Sequence, residues 1–207
     1  MVRGVEILTI GHSNRSLSEF MELLRQHEVT ALADVRSSPY SRLHPHFSRP
    51  ALAAVLRSHG IRYIYLGREL GGRPDDPSCY DNGQVDYERL VRTRAFQAGL
   101  KRLRREAAAH RLVIMCAEED PLACHRTLVI GQELSKSGVS VFHIRDKEQL
   151  KSHQEAMREL LRRRGMQSAS LFGSEEQLIE EACRRQAKDV AYKARTDPST
   201  RSRKSHR

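Results

Sequence analysis

The sequence of 207 residues contains no tryptophan, few other aromatic residues and no long apolar run. Aromatic residues make up 5 % of the chain, so it offers few of the stacking platforms on which single-stranded nucleic acids bind. A membrane-spanning helix needs about 18 or more apolar residues in succession, and no stretch of the sequence approaches that length. The apolar stretch at residues 5–10 is short and contains Glu6, so we expect neither a membrane protein nor a secretory signal peptide.

Cysteine is also scarce and widely spaced. The cysteines of the chain are Cys79, Cys116, Cys124 and Cys183. A disulfide framework is typical of small secreted domains with many cysteines, and four scattered ones in a chain of this length do not form such a framework. We therefore expect free thiols in a cytoplasmic protein.

Positive charge is in excess, but most of the excess lies near the C-terminal end of the sequence. The net charge is +10. Residues 184–207 contain nine Lys or Arg residues against two Asp or Glu, whereas the preceding 183 residues contain 27 against 24. A basic tail can hold nucleic acid electrostatically, although tails of this kind are more often solubilising or disordered.

Short β-prone runs alternate with segments of helical periodicity along most of the chain. The predicted strands are residues 5–10, 31–35, 62–66, 111–116 and 139–144. The predicted helices begin near Ser16, Ser48, Asp86, Asp120 and Glu148, and the third runs unbroken to Ala109. This alternation predicts an α/β fold, namely a three-layer α/β/α single domain with a mostly parallel sheet of about five strands.

Beyond the last predicted strand and its helix, the sequence changes character twice. A polar link leads to a further helix, whose start is marked by Ser174, and a stretch rich in serine and basic residues follows it. We therefore divide the chain into an α/β domain (1–165), a link with a C-terminal helix packed on that domain (166–195), and a disordered basic tail (196–207).

Polar and glycine residues cluster where each of the first four predicted strands ends. The clusters are residues 11–15, 34–42, 67–74 and 116–126. Ligands of parallel α/β sheets bind outside the carboxyl ends of the strands. We therefore predict that these clusters share one edge of the sheet and form a functional site there.

Three motifs in this part of the chain resemble a known family. They read TIGHSNR at residues 9–15, DVRSSPYS at 34–41 and CAEEDPLACHR at 116–126. Together they are similar to the domain of unknown function family 488, and the resemblance covers roughly residues 5–145. It implies a compact α/β domain in a cytosolic, mostly microbial protein, and it implies no particular reaction.

The fourth cluster combines two cysteines with basic side chains. Cys116 ends a predicted buried strand, and Cys124 is predicted in the first turn of the following helix. Positive charge and a helix N-terminus lower the pKa of a thiol and attract anions. One hypothesis is therefore a thiolate nucleophile at either cysteine, with an anionic substrate held by basic residues at the same edge. The basic residues are Arg15, Arg36, Arg73, His125 and Arg126.

Acidic residues at the same edge support a second hypothesis. Asp34 ends the second predicted strand, and Glu118 and Glu119 follow the fourth, with His12 expected close by. Such groups can act as general acid and general base, for example in cleavage or transfer at a glycosidic or phosphodiester bond. The catalytic candidates of the two hypotheses are His12, Asp34, Cys116, Glu118 and Cys124.

Each hypothesis has a structural alternative. Cys116 and Cys124 are also suited to simple packing, at the end of a buried strand and on a helix respectively. Asp34 is equally suited to an ion pair with a nearby arginine, Arg36 or Arg15, that holds the edge of the sheet together.

A third hypothesis is a metal site formed by Cys116, Cys124, His125 and His12, but we expect no metal ion and no cofactor. Zinc sites typically contain closely spaced pairs such as C-x₂-C, and the sequence has none. Cys124 and His125 are adjacent, and on a helix their side chains would diverge by about 100°. The glycine-containing segment 67–74 matches neither common nucleotide-binding motif.

We interpret the sequence as that of an enzyme, a hydrolase or a transferase, acting on an anionic substrate at this edge of the sheet. The expected substrate carries a phosphate, as a nucleotide, a nucleic acid or a metabolite. The alternative is a non-catalytic nucleic-acid-binding module that uses the arginines of the edge and the basic tail. The sequence leaves the reaction, the reactive cysteine and the oligomeric state open.

Overall fold

A six-stranded sheet forms the centre of the fold in the computed structural model, which describes residues 4–145, 149–166 and 174–194. In chain order the strands are β1 (Glu6–Gly11), β2 (Ala31–Asp34), β3 (Arg62–Tyr65), β4 (Tyr80–Asp81), β5 (Gln84–Val85), β6 (Leu112–Cys116), β7 (Ser140–Ile144) and β8 (Leu150–Ser152). Strands β4 and β5 pair as a separate antiparallel hairpin. The central sheet has the order β3-β2-β6-β1-β7-β8, in which β8 is antiparallel to β7 and the other pairs are parallel.

Helices connect and cover these strands. They are α1 (Leu17–Gln26), α2 (Arg49–Ser58), α3 (Gly67–Leu70), α4 (Tyr87–Arg92), α5 (Arg94–Ala109), α6 (Gln132–Lys136), α7 (His153–Arg163) and α8 (Glu175–Val190). Shorter 3₁₀ turns lie at Pro45–Phe47, Pro77–Cys79 and Pro121–Ala123, and a π-helix at Arg126–Gly131 leads into α6. No helix in the described part of the chain is both long and apolar enough to cross a membrane.

The strands bury apolar side chains on both faces of the sheet. On one face, Leu8 of β1 packs in a layer with Phe20 of α1 and Leu52 of α2. On the other face, Ile7 of β1 packs in a layer with Phe96 of α5 and with residues of the π-helix, α7 and α8. Because neighbouring residues of a strand point to opposite faces, one continuous apolar run serves both layers. The predicted three-layer α/β fold with a mostly parallel sheet is confirmed.

The long helix predicted from Asp86 to Ala109 is wrong in one respect, because it is interrupted at Thr93. The backbone of Thr93 is extended, and its side chain accepts the N–H of Phe96 and so caps α5. A threonine favours a helix start here because its hydroxyl gives a free backbone N–H of the first turn an acceptor.

The helix predicted to begin near Glu148 begins later than predicted. Residues 150–152 form β8, which pairs with β7 instead of starting a helix. Helix α7 follows Ser152, whose side chain forms a reciprocal capping box with Glu155. Glu148 itself lies outside the described residues.

Helix α8 packs against the domain that precedes it. Its Ala182, Cys183 and Ala187 are buried in the same layer as α5 and α7. The link 167–173 and the predicted tail 196–207 lie outside the described residues, so the proposed division of the chain at residues 165 and 195 stays a prediction.

The end of β1 lies against the loop that follows β6. A Cβ atom on Gly11 would lie 1.8 Å from the backbone oxygen of Glu118, far closer than atoms can pack. We therefore expect Gly11→Ala to lower the free energy of unfolding by about 1–3 kcal/mol, as overpacking does. Chemical denaturation measures this loss, with Gly4→Ala as the control because nothing lies within 4 Å of a Cβ on Gly4. Equal midpoints for the two variants would show that the loop moves away freely.

Candidate active site at the carboxyl edge of the sheet

A cavity of about 460 Å³ lies at the carboxyl edge of the sheet, where β2 and β6 end. Its walls come from the segments after β2, α3, β6 and α8 and from the start of α4. The lining residues are Arg36, Ser37, Ser38, Tyr40, Gly72, Arg73, Tyr87, Cys116, Ala117, Glu118, Ala123, Cys124, His125, Val190 and Tyr192. Three of the four predicted strand-end clusters therefore contribute to the cavity, and the cluster at residues 11–15 does not line it.

Two cysteines, a carboxyl group and an imidazole meet in the cavity wall. Oε2 of Glu118 lies 3.0 Å from Sγ of Cys116 and 2.9 Å from Sγ of Cys124. Nδ1 of His125 lies 3.8 Å from each of the two sulfurs. We call these four residues the thiol cluster. Its cysteines and histidine are almost completely buried in the protein.

The thiol cluster depends on a tight turn after β6. The side chain of Asp120 accepts the N–H of Leu122 and so starts the 3₁₀ turn Pro121–Ala123. Cys124 follows in extended backbone, with φ −136° and ψ 139°. The prediction that Cys124 and His125 share the first turn of one helix is therefore wrong. Because the extended residue redirects the chain, both side chains lie beside Cys116 instead of diverging.

Arg126 holds this loop in place from within the protein. It is 1 % exposed, and its Nη1 and Nη2 donate to the backbone oxygens of Glu118 at 2.6 Å and Glu119 at 3.0 Å. Its backbone N–H donates to Sγ of Cys124 at 3.5 Å. The sequence suggests Arg126 as an anion-binding residue, but these hydrogen bonds position the thiol cluster.

The groups of the thiol cluster shift one another's protonation. The hydrogen bond with Cys124, reinforced by burial, raises the pKa of the Cys116 thiol well above its ordinary value. Burial alone would raise the pKa of Cys124, but the hydrogen bond from Cys116 and the charges of Arg126 and His125 lower it well below its ordinary value. The pKa values of the two thiols are therefore shifted in opposite directions, upward for Cys116 and downward for Cys124.

The pKa values of the other two members of the cluster, His125 and Glu118, are both raised. Burial acts to lower the pKa of His125, but its contacts with Cys124 outweigh burial and raise it. Burial raises the pKa of Glu118, and the neighbouring Cys124 adds to that effect. Perturbed groups that share a cavity are typical of active sites.

Asp34 and His12 belong to a separate buried network around Arg36. Asp34 accepts from Nε of Arg36 at 2.9 Å, from Nη2 at 2.6 Å and from the hydroxyl of Tyr63 at 2.7 Å. Nη1 of Arg36 lies 3.2 Å from Nε2 of His12, whose ring stacks on Phe47. Burial, followed by the charge of Arg36, lowers the pKa of His12 to about 4. The structure thus brings neither predicted group, Asp34 or His12, to the cavity wall.

The remaining predicted anion-binding arginines differ in their surroundings. Arg15 donates to the backbone oxygens of Gly11 at 2.7 Å and Arg145 at 3.1 Å, and it pairs with Glu119. Arg73 is exposed at the cavity, and its guanidinium lies 4.4 Å from the centre of the Tyr192 ring. No hydrogen bond or ion pair with another described residue engages the Arg73 guanidinium, so it is the arginine best placed to meet a ligand.

Several lining residues were not anticipated from the sequence. Tyr87 directly follows the N-cap Asp86 of α4, and burial raises the pKa of its hydroxyl above the ordinary value. Tyr192 follows α8, about 120 positions along the chain from Arg73, whose side chain it contacts. No local pattern marks these tyrosines, because only the packing of α4 and α8 brings them to the cavity.

The fold and this cavity define an α/β protein with a thiol-containing candidate active site at the carboxyl edge of a parallel sheet. The chain belongs to the family described as "Domain of unknown function DUF488", whose model matches residues 16–132, and the resemblance seen in the sequence is confirmed. The matched segment contains the motifs at 34–41 and 116–126, whereas the cavity residues Val190 and Tyr192 lie beyond it. No curated protein and no solved structure matches the chain.

Proposed function

We propose that this protein is an enzyme, a hydrolase or a transferase, that acts on a small phosphate-bearing substrate bound in the cavity. One observation carries the proposal: two thiols, a carboxyl group and an imidazole converge in the wall of a cavity of about 460 Å³. Burying so many polar groups together is unfavourable for stability. Such a cluster beside a cavity is typical of a site that performs chemistry.

Other residues of the cavity lining suit the anionic part of a substrate. Arg73 offers a guanidinium that stacks on Tyr192, and Ser38 and Tyr87 add hydroxyl groups to the lining. Guanidinium groups recognise phosphate through paired hydrogen bonds. A substrate whose phosphate meets Arg73 would lie in the same cavity as the thiol cluster.

The alternative of a nucleic-acid-binding module receives less support. Such a module needs arginine side chains that are free to contact phosphates along an extended surface. Arg15, Arg36 and Arg126 instead donate to acceptors of the protein itself. The proposal includes a cytoplasmic location, because the described cysteines are all free thiols and such thiols persist in a reducing compartment.

The proposal is tested by measuring how fast the wild type and two variants, each with one glutamate replaced, convert a panel of compounds. The full-length protein is incubated with nucleotides and sugar phosphates, and products are detected by mass spectrometry. We expect at least one compound to be converted, and Glu118→Gln to lower that rate by about 100-fold or more because it removes a proton-transfer group. Glu119→Gln is the matched control, because Glu119 is 65 % exposed and pairs with Arg15 outside the cavity.

Two outcomes would contradict the proposal. A compound that binds to the wild type, fails to bind to Arg73→Gln and is nevertheless recovered unchanged would identify a binding protein. Equal rates for Glu118→Gln and the wild type would remove the thiol cluster from the chemistry.

A further inference from the structure

We propose that Cys116, Cys124 and His125 bind a divalent transition-metal ion, with zinc as the best match, and leave one coordination position open toward the cavity. The ligand atoms are the two Sγ atoms and Nδ1 of the imidazole, and all three lie within 4.8 Å of one another. Sulfur and nitrogen donors of this kind are those that zinc takes in proteins. The sequence-based expectation of no metal rested on the absence of a C-x₂-C pair and on a helical divergence of Cys124 and His125, and the structure does not contain that divergence.

The spacing of the donors fits a tetrahedral ion. With metal–sulfur distances of about 2.3 Å and metal–nitrogen distances of about 2.0 Å, neighbouring donor atoms of a tetrahedron are about 3.5–3.8 Å apart. The two sulfur–nitrogen distances are each 3.8 Å. These two distances exceed the ideal sulfur–nitrogen spacing by about 0.3 Å, on the order of the tolerance of such sites.

The surroundings also suit a cation. The Glu118 carboxyl oxygen lies 3.0 Å from the Cys116 sulfur and 2.9 Å from the Cys124 sulfur, and a cation would reduce the repulsion between these three groups when they are ionised. The backbone N–H of Arg126 donates to Sγ of Cys124, as second-shell donors do to metal-bound thiolates. The hydrogen bonds of Arg126 to the backbone of residues 118 and 119 fix the loop that carries these groups.

Three protein ligands beside a cavity correspond to a catalytic rather than a structural site. Structural zinc sites are closed by four protein ligands, whereas catalytic sites keep a position for water or substrate. All three ligands and Glu118 line the cavity. An ion bound there would supply a water of lowered pKa for hydrolysis, and Glu118, which lines the same cavity, would serve as the proton acceptor. A His-Cys-Cys site with a non-ligand glutamate is the arrangement with which zinc deaminases activate water.

Cobalt titration of the full-length protein tests the metal site. The chelator-treated chain is titrated with Co²⁺, and the thiolate-to-cobalt charge-transfer absorption and the intense tetrahedral d–d bands are recorded. We expect both signals to saturate at one ion per chain and to be abolished by Zn²⁺. Cys124→Ser and His125→Gln should each weaken binding by more than about 10–100-fold, the loss typical of second-shell changes alone. Cys183→Ser is the matched control, because its thiol contacts the sulfur of Met157 and does not line the cavity.

A second readout does not depend on the folding of any variant. Zn²⁺ should protect Cys116 and Cys124 of the wild type from alkylation, mapped by mass spectrometry, without changing the alkylation of Cys79 or Cys183. The proposal is overturned if the wild type gives no charge-transfer absorption, or if Zn²⁺ protects all four cysteines alike. It is also overturned, in favour of a closed four-ligand site, if Glu118→Gln loses the metal as completely as Cys124→Ser.

The metal site extends the proposed function but is tested separately from it, since neither metal assay contains a substrate. Metal binding without turnover of any phosphate compound would leave the metal site standing and count against the proposed function. Undiminished turnover by the chelator-treated, metal-free protein would support the proposed function and count against the metal site.

Discussion

Replacing Asp34 with asparagine is expected to lower the free energy of unfolding by about 3–5 kcal/mol, because the change leaves a buried guanidinium without its counter-charge. The Asp34 side chain is 0 % exposed and that of Arg36 is 6 % exposed. The carboxylate accepts from two nitrogens of Arg36, from the Tyr63 hydroxyl and from the Arg36 backbone N–H. An asparagine oxygen replaces part of this set but supplies no charge.

Urea denaturation at neutral pH measures this loss, and two further variants identify its cause. Glu175→Gln breaks the exposed Arg158–Glu175 ion pair and should change stability by less than about 1 kcal/mol. The double variant Asp34→Leu/Arg36→Met removes both charges of the buried pair and should be more stable than Asp34→Asn. A loss of less than 1 kcal/mol in Asp34→Asn would show that the buried network contributes little to the fold.

The same network shows what sequence reasoning can and cannot predict about a strand-end carboxylate. The position of Asp34 at the end of β2 follows from the β-prone run that precedes it. Its ion pair with Arg36 is one of the alternatives that the sequence offers, and the structure contains it. The hydrogen bond from Tyr63 is not recognisable from the sequence, because Tyr63 comes from β3, whose parallel register with β2 is a property of the assembled sheet.

For the thiol cluster, the sequence predicts the location of the residues but not the geometry of their side chains. The order of strands and helices was sufficient to predict Cys116, Glu118, Cys124 and His125 at one edge, and the structure brings these four together. The assumed helical geometry nevertheless placed the side chains apart. The extended backbone of Cys124 depends on a turn capped by Asp120 and on a loop held by a buried arginine, so the convergence is a tertiary result.

A buried chain of hydrogen bonds links β1, β7, α7 and α6, and we expect its two histidines to make the fold less stable in acid. Thr9 Oγ1 lies 2.8 Å from Nδ1 of His143, Nε2 of His143 lies 3.3 Å from Nδ1 of His153, and Nε2 of His153 lies 2.9 Å from Oε1 of Gln132. Because the Gln132 oxygen can only accept, Nε2 of His153 carries a proton, and its Nδ1 accepts from His143. In this arrangement the Thr9 hydroxyl donates to Nδ1 of His143, and burial disfavours a charge on either imidazole.

Acid should weaken the fold through these two histidines. Burial lowers the pKa of His153 to about 4, and burial together with the charge of neighbouring basic groups lowers that of His143 well below its ordinary value. In the unfolded chain both take up protons near pH 6.5. Between about pH 6.5 and pH 4 the unfolded state thus binds more protons than the folded state, so stability falls as the pH falls, by about 3 kcal/mol for His153 alone.

Denaturation midpoints measured from pH 7 to pH 4 test this expectation with a matched pair of variants. His153→Gln removes the titrating group but can still hydrogen-bond, so it should be destabilised at pH 7 yet lose about 3 kcal/mol less than the wild type on acidification. His59→Gln, at an exposed position after α2, should keep the full acid dependence of the wild type. If His153→Gln and the wild type lose the same stability between pH 7 and pH 4, the acid sensitivity of the fold has its origin elsewhere, for example in His12 beside Arg36.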